Sequence, residues 1–165
     1  EINYAEMHIK NIVLDFLPSV LNYLNISFEN SNQIVAGASM GGLMSIKTSI
    51  FFPQFRNIIS LSPAFWFGYP SVLHDIKNLS NESSTYLYTG KKEGHIFGDH
   101  VKNIFPNNWN LDFSNNDDFY YSGVKNIKDS FDFNNKKVIF SSEDSGRHDE
   151  TSWATAILEI LGKLI

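Results

Sequence analysis

The chain has 165 residues, no cysteine and a formal net charge of −5. That length suits one compact domain with its own core, while the lack of cysteine excludes a disulfide framework, a thiol nucleophile and a cysteine-bound metal, and fits a reducing, cytoplasmic compartment. The acidic balance excludes the basic footprint of a nucleic-acid binder, and no apolar run approaches the roughly 20 residues of a membrane span.

The first residues, EINYAEMHIK, carry no signal-peptide pattern and no initiator methionine. They run straight into a helical pattern, so the chain is expected to be a piece of something longer. From residue 5 to 24, Ile9, Ile12, Val13, Phe16, Leu17, Val20, Leu21 and Leu24 recur at the spacing of one helical face. Pro18 removes a backbone donor there, which predicts a kink or two abutting segments. Asn25–Asn32 is a polar connection.

Gln33–Ala38 reads as a strand and residues 41–51 as a helix closed by Pro53. Between them lies Gly37-Ala38-Ser39-Met40-Gly41, a G-x-S-x-G pattern. A serine that must project its hydroxyl from the top of a sheet needs such a sharp strand-to-helix turn. It sits there in a strained conformation. Glycines at 37 and 41 are expected to avoid collisions that a Cβ would make. The helix N-terminus behind the serine suits a developing negative charge. Short as it is, the pattern also occurs in ordinary turns; the flanking strand and helix, together with Gly42, favour the nucleophile elbow.

Asn57–Leu61 is an apolar strand of the type buried on both faces of a parallel sheet. Ser62-Pro63-Ala64-Phe65-Trp66-Phe67 follows at its C-terminal end, where ligand clefts form in open α/β sheets. Phe65 and Trp66 are therefore candidates for lining a substrate pocket, with plain aromatic packing under a loop as the alternative. Ser71–Leu79 reads as a short helix and Thr85–Thr89 as an alternating strand that ends in Gly90-Lys91-Lys92-Glu93-Gly94. Residues 94–121 are Asn-rich, aromatic and too long for an ordinary loop, which suggests a lid or cap. His95, Asp99 and His100 lie close together there, but the spacing is loose and surface polarity explains them better than a metal. Gly123–Phe131 is a helix candidate, Lys137–Ser141 a strand, and a last helix runs from about Asp149 with Trp153, Ile157, Leu161 and Leu164 on one face.

A helix followed by four strand–helix repeats predicts a single α/β domain over residues 1–165, with a mostly parallel sheet and helices on both faces. A serine nucleophile in such a fold needs a histidine base and a carboxylate to orient it, in the chain order Ser, Asp or Glu, His. Of the five histidines, His148 alone sits past the last strand on a Gly-led loop entering a helix. Glu93, just beyond the 85–89 strand, is the preferred acid, with Asp144 and Asp99 as rivals. The Met40 backbone N–H is the expected oxyanion donor. No metal or organic cofactor is called for.

Gly37-Ala-Ser39-Met40-Gly41-Gly42-Leu43, FFPQF, SLSPAFWF, Gly90-x-x-Glu93 and Gly146-Arg147-His148-Asp149-Glu150-x-x-Trp153, in that order, resemble the esterase D-like "putative esterase" family of α/β-hydrolases. Its relatives include siderophore trilactone esterases and S-formylglutathione hydrolases. The resemblance covers almost the whole chain. It implies an α/β-hydrolase-like fold, Ser39 as nucleophile, Glu93 as acid, His148 as base and a structural Trp153. The family's early strands, and the loop that supplies a second oxyanion donor, have no counterpart in these residues. The resemblance thus implies the C-terminal portion of such a domain. Loss of one oxyanion donor costs roughly 10²–10³ in kcat, so slow or absent turnover is expected of the portion alone. The expected activity is hydrolysis of a small-molecule carboxylic ester through an acyl-enzyme, with no nucleic-acid or membrane partner. A catalytically silent remnant or binding module, and acyl transfer to another acceptor, are the alternatives.

Overall fold

The computed structural model describes residues 4–27, 33–105, 109, 111 and 113–164. The Asn25–Asn32 connection and the 94–121 segment therefore lie partly outside the described residues.

The chain enters through α1 (Tyr4–Lys10), a π-helical turn (Asn11–Phe16) and α2 (Leu17–Tyr23). The discontinuity expected at Pro18 takes the form of that wide turn. The Leu17 N–H reaches back five residues to the Ile12 carbonyl, which relieves the clash a proline ring makes with the preceding turn. Because the hydrogen-bond step changes, the helical stripe does not stay on one side. Ile9 and Val13 are buried with Phe55, with Leu17 packed beside them, whereas Ile12, Phe16 and Leu24 are exposed.

Four strands follow: β1 (Gln33–Ala38), β2 (Phe55–Leu61), β3 (Ser84–Gly90) and β4 (Lys137–Glu143). They are parallel and lie side by side in chain order. Right-handed crossovers that always step in one direction put every connecting helix on one face. That face holds α3 (Met40–Phe51), α4 (Ser71–Asp75) and α5 (Asn116–Phe133). Leu43 and Ile46 of α3, Val72 of α4, and Val124, Ile127 and Phe131 of α5 pack there on Ile58 and Leu87 of the sheet. The opposite face, through Ile59, Leu61, Tyr86 and Tyr88, receives Ala156 and Ile160 of α6 (Glu150–Leu164). Helices thus cover both faces, as the alternation of elements predicts.

α5 is longer than the Gly123–Phe131 read from its apolar residues. Asn115 accepts a hydrogen bond from the Asp118 N–H through its side chain, and Asp117 and Asp118 occupy the first turn, so the helix starts at Asn116. Upstream of it, Gly94–Phe97 and Val101–Asn103 are 3₁₀ turns. Phe97, Phe105, Trp109, Leu111 and Phe113 from this segment pack on the core, with the Phe105 and Phe119 rings stacked at 5.3 Å. Among the described residues, no helix is long and apolar enough to cross a membrane.

Candidate active site

Parallel strands present all their C-terminal ends at one rim. Ser39 follows β1, Ser62 follows β2, Glu93 lies three residues beyond the end of β3, and His148 lies on the loop after β4.

Ser39 has φ 54° and ψ −121°, a conformation that L-residues rarely adopt, between the end of β1 and the start of α3. The strain is held by neighbours: the Ser39 N–H donates to the Leu61 carbonyl at 2.9 Å, and the Ala64 N–H donates to the Ser39 carbonyl at 2.9 Å. A Cβ on Gly37 would stand 2.3 Å from the Gly41 carbonyl oxygen, and one on Gly42 would stand 2.7 Å from that of Leu61. The expectation for Gly41 needs correction: a Cβ there would meet nothing within 4 Å. The collision belongs to Gly37, which abuts the backbone of residue 41 rather than its side-chain position. Met40 is the first residue of α3, so its N–H has no acceptor within the helix and lies beside the serine at the positive end of the helix dipole.

His148 Nε2 lies 2.9 Å from Ser39 Oγ, and His148 Nδ1 lies 2.9 Å from Glu93 Oε2. The Glu93 side chain is 0% exposed and that of His148 9%. A carboxylate only accepts, so Nδ1 carries the ring proton and Nε2 is left to accept from the serine hydroxyl. Glu93 Oε1 accepts from Ser62 Oγ at 2.6 Å and from the Gly90 N–H at 2.5 Å. Trp153 Nε1 in turn donates to Ser62 Oγ at 3.0 Å. Two rings pack on the imidazole: the Trp153 indole meets it edge-on at 4.9 Å, and the Tyr120 ring is tilted to it at 5.3 Å. Burial, and then the nearby Glu93 charge, push the Tyr120 hydroxyl well above its ordinary range. It stays protonated and donates to the Ser62 carbonyl at 2.6 Å.

The loops that carry Glu93 and His148 are tied together at their bases. Beyond the last rung of the β3–β4 ladder, the Lys91 N–H donates to the Glu143 carbonyl and the Lys92 N–H to that of Gly146, both at 2.9 Å. Gly90 and Gly146 touch so closely that a Cβ on Gly90 would stand 2.2 Å from the Gly146 carbonyl oxygen. Asp149 Oδ1 accepts from the Ser152 N–H at 2.9 Å and caps α6 directly after the histidine.

The rival acids lie elsewhere. Asp144 is exposed and pairs with Lys91 at 2.7 Å; the hydrogen bond from Lys91, and then its charge, hold the carboxyl below the usual carboxylate value. Asp99 is exposed, and its carbonyl accepts from Asn116 Nδ2. His95 packs its ring nitrogen on the Lys92 carbonyl, while His100 caps the 101–103 turn, and among the described residues no cluster of three or more metal-binding side chains forms. Phe65, a pocket candidate in the sequence, is instead wholly buried in the aromatic core against Trp66, Phe119 and Tyr120. Its position one turn past the β2 end turns the ring under the loop, where α5 comes so close that Gly123 has no room for a Cβ. Trp66 is partly exposed, edge-on to Phe97 and Tyr120. Sequence reasoning missed Ser62 and Tyr120. The signal for Ser62 was its place at the C-terminal end of a strand, the same address as Ser39.

This arrangement can take a proton from a serine hydroxyl, hold it on an oriented imidazole and return it. No protein-family model matches the chain, and no curated protein matches it in sequence. Among solved structures, its fold is similar to a ferulic acid esterase, with a TM-score of 0.67, 13% identity, and coverage of 92% of this chain and 57% of that one. It is also similar to the enterobactin esterase of Shigella flexneri, with a TM-score of 0.60, 18% identity, and coverage of 88% and 34%. A third is the capsule O-acetyltransferase of Neisseria meningitidis serogroup A, with a TM-score of 0.59, 12% identity, and coverage of 92% and 64%. The chain thus has the parallel-sheet α/β-hydrolase fold that these esterases and this acetyltransferase share, and it spans 57%, 34% and 64% of their lengths.

Proposed function

We propose that the protein is a serine hydrolase that cleaves a carboxylic ester through an acyl-enzyme. One observation carries this reading: Ser39 Oγ, the His148 imidazole and the buried Glu93 carboxylate form a continuous hydrogen-bonded line with both links at 2.9 Å. Esterases among the structures of like fold agree with it at the level of fold.

Ser39 Oγ attacks the ester carbonyl while His148 Nε2 takes its proton. Glu93 holds Nδ1–H in place and stabilises the imidazolium. The Met40 N–H donates to the oxyanion. Collapse of the tetrahedral intermediate expels the alcohol, which leaves with the proton from His148. A water then gives its proton to Nε2 and attacks the acyl–Ser39 ester, releasing the acid and restoring the serine. If an alcohol takes the place of that water, the same acyl-enzyme gives acyl transfer. Product analysis with and without added alcohol separates the two outcomes.

The test is fluorophosphonate labelling together with p-nitrophenyl acetate turnover of the wild type and of Ser39→Ala. The expected result is a single label on Ser39 and, in the variant, loss of both the label and all turnover above the uncatalysed background. Equal turnover in both proteins removes Ser39 from the mechanism. A well-folded wild type that neither labels nor turns over substrate favours a non-catalytic module.

A further inference from the structure

Ser62 stands out on three counts. It is wholly buried, it has φ 42° although it is not a glycine, and it lies at the end of the one strand that contributes no residue to the Ser39–His148–Glu93 line. A glycine would occupy that backbone conformation without strain. The side chain therefore needs an explanation, and its partners give one.

The Ser62 hydroxyl has one proton to donate. Trp153 Nε1–H can only donate, and it points at Ser62 Oγ from 3.0 Å. The serine proton is thereby turned away from the indole and onto Glu93 Oε1, at 2.6 Å. Oε1 is also held by the Gly90 N–H. With Oε1 so engaged, the other oxygen, Oε2, is the one aimed at His148 Nδ1, at 2.9 Å. The Ser62 backbone is clamped as well: its N–H donates to the Tyr88 carbonyl at 2.7 Å, and its carbonyl accepts from Tyr120 at 2.6 Å. The same indole that fixes the serine proton presses edge-on against the imidazole.

From this geometry we infer that Ser62 and Trp153 are positioning residues of the acid–base pair. A one-way chain of donors, Trp153 to Ser62 to Glu93, locks the carboxylate rotamer that sets the tautomer and orientation of His148. The inference rests on the hydrolase reading for its effect on rate, but the hydrogen-bond chain can be read without turnover.

The variants are Ser62→Ala, Ser62→Gly and Trp153→Phe. Both serine variants remove the hydroxyl, and the glycine also relieves the backbone strain; the phenylalanine keeps a ring against His148 but removes the N–H. Two readouts are taken on the full chain: the downfield proton resonance of His148 Nδ1–H, assigned by its absence in His148→Ala, and kcat and KM for p-nitrophenyl acetate. Expected are a roughly ten- to hundredfold fall in kcat, the size seen when the hydrogen-bond partner that orients a metal-binding histidine is removed, with KM within about twofold. The resonance weakens or broadens in all three variants, including Ser62→Gly, which controls for a folding defect in Ser62→Ala. If the folded Ser62→Gly and Trp153→Phe proteins keep both the wild-type resonance and the wild-type kcat, the inference is overturned while the hydrolase reading stands. If the wild type shows no turnover but the resonance changes as expected, the hydrolase reading fails and the positioning chain survives.

Discussion

Glu93 sits where one of its oxygens is already spoken for, and this decides what an isosteric change does. The Oε1 position is faced by three donors, Ser62 Oγ–H, the Gly90 N–H and, at 3.4 Å, the Thr89 hydroxyl. In Glu93→Gln the amide oxygen takes that position, so the NH₂ group is turned onto His148 Nδ1. An amide donor there requires Nδ1 to accept, which moves the ring proton to Nε2, facing Ser39. The imidazole then offers the serine a proton instead of a lone pair. We expect Glu93→Gln to fold normally, since shape and most hydrogen bonds survive, and to lose about 10³–10⁴ in kcat on p-nitrophenyl acetate. Activity within tenfold of the wild type would remove the acid's assigned role. The residues of this line were legible for unequal reasons. Ser39 announces itself locally, because the elbow needs Gly37 and Gly42 around it within a few positions. Glu93 and His148 could be narrowed by their place after strands. Ser62 offered only its address at the end of a strand; its role depends on a positive φ that nothing in the local sequence of a non-glycine residue reports, and on Trp153, which is 91 positions away.

At the scale of elements, the four strands were legible as short apolar runs or, for β3, as an alternating pattern, whereas the helix boundaries depended on caps and on proline. The Asn115 cap of α5 was overlooked because the apolar stripe begins well after it, and the π turn before Pro18 had no signal beyond the proline itself. Caps also matter to the site. Asp149 follows His148 directly and accepts from the Ser152 N–H, so it fixes where α6 begins and where the histidine loop ends. That backbone hydrogen bond, foremost, holds its carboxyl below the ordinary value of 3.8. A depressed carboxyl contributes stability that is present above the ordinary value and lost as pH falls through the depressed one. Asp149→Ala should therefore lower the urea midpoint at pH 7, with the gap from wild type narrowing steadily below about pH 4. A gap of equal size at pH 7 and pH 3 would mean that the charge on the cap is not what stabilises the helix start.

The whole molecule adds one property that no element has alone. Each strand of the sheet delivers one member of the Ser39–Ser62–Glu93–His148 set to the same rim, so the set exists only while all four strands are in register. The alternation of elements in the sequence was enough to predict a parallel sheet. The strand order β1-β2-β3-β4, which decides that four chain-distant residues become neighbours, came from packing: three helices on one face, α6 on the other. Beneath the rim lies a single aromatic core, centred on Phe65, which touches Trp66, Tyr69, Trp109, Phe119 and Tyr120. Tyr120 belongs both to that core and to the site, through its contact with the Ser62 carbonyl. Loosening the core should thus dismantle the site in the same step. Phe65→Ala, in a fully buried position, is expected to cost about 3–5 kcal/mol in urea unfolding. Elements packed on the two faces of one sheet are expected to unfold as one cooperative unit. In wild type and variant alike, labelling of Ser39 by a fluorophosphonate and native tryptophan fluorescence should be lost at the same urea concentration. Labelling lost well before fluorescence would show that the rim opens by local unfolding while the core persists, and that site and core are not coupled.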